Sequence, residues 1–476
     1  MTHSLQRGAG TQALHLQLAQ RLQRDMRNRI IAPGARLESV RACARRHGVN
    51  PQTVVAAYDL LQAQGWVESR LRQGFFVRTR PDDAQAEPAP PAASPLPLPT
   101  HATALLRATW ARQRAGDAPR AMPGAGTLPA DWLALAPLAR ALRQLSREQA
   151  LDPTAAGDAE PDGDRLLRQM LSRQLAEAEI PAAPDNLLLC NGATQALDLI
   201  VRTMTRPGDA VMVEQPGGAM QFAQLQRAGL HLLPVPRGPT GPDLRRVRHW
   251  VRSCRPRLMI VVSRLHNPTG RCLGSAGAHQ LLELARAHDF LLVEDDVYAP
   301  PCEQAAPLLS AMDGLRHSLL IGGFSKWLAP GWRVGYVAAA AARIERLRDA
   351  KLLAGLGSPM LTERALALLL QRGGTHRLAA ALRERLARAR QRAVDLAGAH
   401  GCRFETPPRG LFGWIDTGVD TDRLAQRLHD CGYLIAPGRL FDPQGAGSTL
   451  MRLNFAHAQD LDFWAAYARA VRALRA

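Results

Sequence analysis

Only two of the sixty basic residues in this 476-residue chain are lysines, Lys326 and Lys351; all the others are arginine. Arginine replaces lysine in most charge roles but cannot form a Schiff base, because the guanidinium is never deprotonated and a primary amine can be. Lys326 lies in GGFSKWLAPGWRVGY (322–336) and is the candidate amine for a carbonyl compound, of which pyridoxal phosphate is the common cofactor. Lys351 follows Arg346, Arg348 and Asp349 and reads as part of an exposed helix face. Survival by accident would account for either lysine taken alone.

Three further groups fall where such a cofactor would need them. Asn191-Gly192-Ala193-Thr194-Gln195 lies between an apolar strand and a helix, so free N–H groups there can cradle a phosphate. Arg333, seven residues past Lys326, can pair with the same phosphate. Glu294-Asp295-Asp296 ends another strand, at the carboxyl edge where open α/β sheets bind ligands. A buried Asp295 beside a pyridine nitrogen would keep that nitrogen protonated. Tyr298, and Asn267 in HNPTG, are suitable donors to a ring oxygen. Each motif singly is what strand-end loops contain for turn reasons; all of them in order argue for one site.

The elements that must position these residues are short apolar strands alternating with longer helical patterns from about residue 121. The strands are expected at Asn186–Cys190, Ala210–Val213, Leu232–Val235, Leu258–Val262, Phe290–Val293, Leu319–Gly322 and Arg333–Ala338. That alternation predicts an α/β fold, a mostly parallel sheet covered by helices on both faces. A long helical stretch over 360–399 leads into a smaller α+β subdomain from about 400 to 476.

The first 80 residues have a different character. Thirteen arginines stand there against four acidic residues, leaving half of the chain's +18 charge in a sixth of its length. Apolar spacing predicts helices over 12–30, 39–46 and 51–64, with Asn50 as N-cap and Pro51 in the first turn. Strands follow at Trp66–Arg70 and Phe75–Thr79, completing a winged helix-turn-helix. The local basic excess is the electrostatic footprint of a nucleic-acid-binding domain. Residues 81–120 form a linker: seven prolines lie within 81–100, a composition that cannot pack a core, and 101–120 carries a short helix. The domains are therefore 1–80, the linker 81–120, and 121–476.

Seven scattered cysteines without a CxxC or Cys/His cluster suggest neither disulfides nor a metal site and fit a reducing compartment. No apolar run is long enough for a membrane span, and the N-terminus lacks the apolar core of a signal peptide. The expected location is the cytoplasm.

Residues 14–77 closely resemble the GntR-type winged helix. The matching features are PGxRL followed by Ser39 and Arg41, the turn GVN, TV then AY, GW, and the wing glycine Gly74. Physical reasoning assigns the same parts. Asn50, Gln52 and Thr53 lead the helix that would meet base edges, and Arg41, Arg45, Arg70 and Arg72 would contact the backbone of double-stranded DNA. Phe75 stands where the family usually has Thr, and Pro51 replaces a frequent Arg. A winged helix used for protein contacts is the competing reading.

Residues 121–476 resemble fold-type I aminotransferases in the order of GAT (192–194), NPTG (267–270), DDVY (295–298) and SK with Arg333 after it. By that resemblance Lys326 forms the Schiff base with pyridoxal phosphate and Asp295 meets the pyridine nitrogen. Asn267 and Tyr298 bind the ring oxygen, and Gly192, Ala193, Thr194, Ser325 and Arg333 hold the phosphate. Arg452, in LMRLNFAH, matches the arginine that grips a substrate or effector carboxylate bidentately. The combination resembles the MocR subfamily of bacterial transcription regulators, whose members are generally homodimers through the aminotransferase-like domain. Three positions depart from that pattern. Gly218 replaces an aromatic that stacks on the ring, Gly323 replaces a hydroxyl residue, and Asp158 stands where a Tyr reaches the neighbouring subunit's phosphate.

Two functions follow. The first is a transcription regulator that senses the cofactor or an amino compound at Lys326 and shifts its affinity for DNA. The second is a working aminotransferase that carries a DNA-binding module.

Overall fold

The computed structural model describes residues 13–27, 31–32, 34–70, 74–78, 102–114, 121–133, 135–147, 160–298 and 306–476. They divide into two compact units, Met1–Ser94 and Pro95–Ala476. Of the positions singled out above, Arg72 and Asp158 lie outside the described residues, as does most of the linker; the short helix expected after it spans Ala102–Arg114.

In the first unit, helices α1 (Leu14–Arg27), α2 (Val40–His47) and α3 (Pro51–Ala63) precede strands β1 (Val67–Arg70) and β2 (Gly74–Val77). Each helix boundary has a local cause. The Ser39 hydroxyl accepts from Ala42 N–H at the start of α2. Gly48, at φ 63°, closes α2 by donating to Ala44 and Arg45 carbonyls, a left-handed cap that glycine adopts without Cβ strain. Asn50 Oδ1 then accepts from Gln52 N–H at 3.0 Å, and Pro51 opens α3. Leu18, Leu22, Val54, Tyr58, Leu61 and Val77 meet in one apolar core, which fixes the three helices against the antiparallel β1–β2 hairpin.

The second unit is built around an eight-stranded sheet among the described residues. Its strands are β3 (Leu187–Cys190), β4 (Ala210–Gln215), β5 (His231–Gly238), β6 (Gly241–Pro242), β7 (Leu258–Val261), β8 (Leu291–Asp295), β9 (Ser318–Gly323) and β10 (Gly335–Ala338). The order is β3-β10-β9-β8-β7-β4-β5-β6. The pairs β4–β5, β4–β7, β7–β8 and β8–β9 are parallel, whereas β10 is antiparallel to both its neighbours. Strands β3, β7, β8 and β9 are almost wholly buried and built on runs of Leu, Ile, Val and Met, with Glu294-Asp295 ending β8 and Gly322-Gly323 ending β9, the composition of strands covered on both faces. All seven expected strands are present; the two-residue β6 was not foreseen.

Two expectations need correction. The helical stretch 360–399 is two helices, Met360–Gln371 and Gly374–Ala399, broken where Gly373 turns left-handed at φ 63°. Lys351 is not on a surface: it is fully buried, and its Nζ donates to Pro161 O at 2.7 Å and to Ser358 Oγ at 2.8 Å. Arg346 and Asp349 before it are exposed, but helical periodicity turns Lys351 to the inner side.

Beyond residue 400, β11 (Arg403–Phe404), β12 (Phe412–Asp416), β13 (Ala436–Pro437) and β14 (Leu450–Asn454) form an antiparallel sheet ordered β11-β12-β14-β13. Helices Thr421–Asp430 and Leu461–Arg475 pack on each other, with Trp464 and Tyr467 fully buried. Among the described residues no helix is long and apolar enough to cross a membrane.

Candidate cofactor site and DNA-binding surface

The topology explains why distant motifs converge. Strands β3, β4, β7, β8 and β9 run the same way, so the loops after them leave from one edge of the sheet. Because β10 runs against them, the residues before it reach that edge too. Asn191-Gly192 follows β3, Asn267 lies beyond β7, Asp295 ends β8, Ser325-Lys326 follows β9, and Arg333 precedes β10. Arg452 comes from β14 of the smaller sheet.

At one end of the cluster, Gly192 is the N-cap of helix Ala193–Met204 and offers no capping side chain. The first-turn N–H groups of Ala193 and Thr194 therefore point out of the helix as donors, where its dipole favours an anion. Gly192 sits at φ 80°, and a Cβ there would stand 2.4 Å from Arg333 Nη2, so only glycine lets the guanidinium close over the helix end. Arg333 is held by Asn191 O at 3.1 Å and Ser325 Oγ at 3.2 Å.

At the other end stands Lys326. Its Nζ donates to Gly126 O at 3.0 Å and lies 5.6 Å from the centre of the Tyr298 ring. Burial, then the neighbouring Arg452 cation, draw the amine down to about 8, with Asp295 opposing. Asp295 is pushed up to about 6, chiefly by burial. Its Oδ2 accepts from Gln221 Nε2 at 2.6 Å and its Oδ1 from Val297 N–H at 3.3 Å. Asn267 Nδ2 donates to the Tyr298 hydroxyl at 3.2 Å, and Arg452 Nη1 donates to Asn267 Oδ1 at 3.0 Å.

Arg452 is buried, lies over the Phe412 and Phe441 rings at 4.4 and 5.0 Å, and donates its Nη2 to Gly124 O at 2.8 Å. Its Nε has no partner, and no carboxylate pairs with it among the described residues. A buried cation without an anion carries a desolvation cost that a ligand carboxylate would relieve.

Two contributors escaped the sequence reading. The strap Met122–Leu128 supplies the carbonyls over Lys326 and Arg452, and Asn454 Nδ2 holds it through Ala125 O and Thr127 O, both at 2.9 Å. Gly124 passes so close to the chain at Ile435 that a Cβ would sit 2.3 Å from backbone, a contact that nothing nearby in the sequence announces. Gln221 is the other, and helical spacing alone did not mark it.

These groups fit pyridoxal phosphate. A glycine-lined helix end with an arginine suits the phosphate, a carboxylate the ring nitrogen, a tyrosine and an asparagine the ring oxygen, and a primary amine drawn toward neutrality the carbonyl.

On the first unit, Arg41, Arg45, Gln52, Arg70 and Gly74 are exposed and Thr53 is half-buried. Asn50 spends its side-chain oxygen on the α3 cap. Arg70 is shared with Glu68 at 2.8 Å and lies 4.5 Å over the Phe76 ring. Gly74, at φ 102°, faces the Arg36 guanidinium, which an added Cβ would meet at 3.5 Å.

The profile of the family described as aminotransferase class I and II matches residues 124–462, and that of the bacterial regulatory proteins of the gntR family matches residues 14–77. The chain belongs to the class I and II aminotransferase family, in the MocR-type architecture that places a gntR-family domain before the aminotransferase-like domain. Over 458 residues it is 31% identical to the uncharacterized HTH-type transcriptional regulator YdcR of Escherichia coli, covering 92% of this chain and 94% of that one. Over 476 residues it is 30% identical to the HTH-type transcriptional regulator TauR of Rhodobacter capsulatus, covering 93% of each. Among solved structures it resembles LysN, the alpha-aminoadipate aminotransferase of Thermus thermophilus, complexed with N-(5'-phosphopyridoxyl)-L-leucine. The TM-score is 0.70 at 24% identity, over 77% of this chain and 95% of LysN.

Proposed function

We propose that the protein is a DNA-binding transcription regulator that acts as a homodimer, its affinity for DNA governed by pyridoxal phosphate at Lys326 and an amino compound held through Arg452. The observation that carries this reading is the pairing, in one chain, of a basic winged helix with a site that keeps both its neutralisable lysine and a buried arginine lacking a carboxylate partner.

Bound there, pyridoxal phosphate would supply an aldehyde for amines and an electron-withdrawing ring. The protein supplies the rest. Ala193 and Thr194 N–H groups, Ser325 and Arg333 hold the phosphate, Asp295 keeps a proton on the ring nitrogen, and Asn267 and Tyr298 orient the ring oxygen. Lys326 presents an uncharged amine to the carbonyl carbon. Arg452 aligns a ligand carboxylate bidentately. On the first unit, Arg41, Arg45, Arg70 and Arg72 contact phosphates, while Gln52 and Thr53 reach base edges. Asn50 acts through the α3 cap, which aims both.

A transcription regulator needs its ligand to bind two states unequally. The test is to measure duplex DNA binding by the full-length protein alone, with pyridoxal phosphate, and with the cofactor plus each of a panel of amino acids. The expected result is a steep negative slope of log affinity against log salt, and affinity for a two-half-site operator that changes with cofactor or with one amino compound. Turnover of an amino acid on the order of one per second or faster, with DNA affinity indifferent to every ligand, would establish the aminotransferase reading instead.

A further inference from the structure

Gly218 leaves no room unused. A Cβ built on it would stand 2.5 Å from Gln221 Oε1 and 2.8 Å from Gln221 Cδ. The Gln221 amide thus occupies the space into which any side chain at position 218 would grow. The backbone does not require glycine there, because φ −70° and ψ 109° are open to any residue. A larger residue there would have to displace the Gln221 amide, the far end of a flexible side chain.

The same amide closes on the carboxylate assigned to the ring nitrogen. With Gln221 Nε2 on Oδ2 at 2.6 Å and Val297 N–H on Oδ1 at 3.3 Å, both oxygens of Asp295 have donors from this chain. The Val297 donor is backbone and fixed. Gln221 is half-buried on the first turn of helix Ala219–Arg227, and rotation about its side-chain bonds releases Asp295. We propose that Gln221 is a built-in competitor for the ring-nitrogen site: its amide donates to Asp295 in place of the ring N–H and must swing off the carboxylate for the ring to enter. This rests on the cofactor reading above and adds to it a residue that sets how tightly the ring is held. The amide also gives the half-buried carboxylate a hydrogen bond, so Gln221 supports the unliganded fold while opposing the ligand.

The two effects have opposite signs, and that separates a competitor from a structural prop. Full-length protein is titrated with pyridoxal phosphate, following the visible band of the lysine-bound cofactor. A second titration uses pyridoxine 5'-phosphate, which keeps ring, nitrogen and phosphate but has no aldehyde. Gln221→Ala should lower both dissociation constants by about tenfold, as expected for losing one competing hydrogen bond to a charged group, while also lowering the melting temperature of the unliganded protein. Gln221→Leu, which deletes the donor but keeps bulk, should tighten both by less, and it carries the test if the alanine variant does not fold. Unchanged or weaker binding by the variants, with a normal band in the wild type, would show that Gln221 merely holds Asp295 and would overturn the inference alone. No band in any of the proteins would overturn the cofactor reading and this inference together.

Discussion

Lys326 and Lys351 both give up hydration, and both ammonium groups are made more acidic chiefly by burial. They differ in what surrounds the nitrogen. Lys351 Nζ has two acceptors, Pro161 O and Ser358 Oγ, and the Glu363 carboxylate near enough to favour its charge. Glu363 in turn accepts from Asp164 N–H at 2.8 Å, while Asp164 caps helix Arg165–Glu177 and pairs with Arg364 at 2.5 Å. That lysine ties the loop at 161–164 to the helices Ala341–Gly355 and Met360–Gln371. Lys326 has one carbonyl, Gly126 O, with the Arg452 cation lowering its affinity for a proton. One lysine is a satisfied cation and the other an amine held ready. A guanidinium could fill neither place, being too large for the first and never neutral in the second.

The largest test of that contrast is to remove each amine. Lys326→Ala should abolish the visible band and borohydride labelling after incubation with pyridoxal phosphate, with the melting temperature little changed. Lys351→Ala should leave labelling at Lys326 intact but cost about 2–4 kcal/mol of stability, because it strands buried acceptors and the Glu363 carboxylate; denaturant melts would show it. Labelling at Lys351, or an unaltered melt for Lys351→Ala, breaks the comparison.

Next in size is Arg452. Arg452→Met should weaken amino acids bearing an α-carboxylate by about tenfold to a hundredfold, the range of a hydrogen-bonded charge pair, and leave simple amines of similar size unaffected. Equal weakening of both classes would mean that Arg452 shapes the cleft without gripping a carboxylate.

A smaller effect is the pH dependence of attachment. Lys326 falls from 10.5 to about 8, so its folded value is depressed. The neutral, reactive amine is present above pH 8 and is lost as pH falls through 8. Attachment rates measured from about pH 6 to 9 should rise with a midpoint near 8. Since the Arg452 cation is one cause of the depression, Arg452→Met should move the midpoint upward. The linked stability change has the same sign: the group's contribution is complete above about 10.5 and is lost as pH falls through 8. A midpoint that stays put in Arg452→Met would break the link between the two residues.

How much of this was legible in the sequence depends on how far a feature acts along the chain. Gly48, Asn50-Pro51 and the strand-end motifs state their roles within a few residues, so the winged helix and the seven strands could be read directly. Spacing marked Arg333 as a candidate for a phosphate, although the antiparallel run of β10 that brings it beside Asn191 and Ser325 is a tertiary fact. Lys351 misled because its charged neighbours describe the outer face of a helix whose inner face packs on the loop at Pro161, 190 positions away. The strap carrying Gly124 and Gly126 was illegible for the same reason. Its partners, Lys326 and Arg452, lie 200 and 328 positions further on, and backbone carbonyls leave no mark in a sequence.

The smallest expected effects concern the two glycines where the family pattern is thinned, and they are not equivalent. At Gly323 a Cβ would meet nothing closer than Val334 O at 3.7 Å, so Gly323→Ser fits as the fold stands. It should tighten cofactor a few-fold by adding a hydroxyl where the family keeps one. At Gly218 the family pattern places an aromatic on the ring, so Gly218→Tyr should tighten binding through stacking, worth ~0.5–1.5 kcal/mol beyond area burial. The structure adds to that expectation, because a tyrosine there pushes Gln221 off Asp295 before the cofactor arrives. Gly218→Tyr alone should therefore tighten cofactor by more than stacking would by itself. In a Gln221→Ala background the competitor is already gone and only the stacking gain should remain. The coupling between the two substitutions in a double-mutant cycle is therefore the measurement that matters. If Gly218→Tyr helps equally in both backgrounds, the two side chains do not share that space.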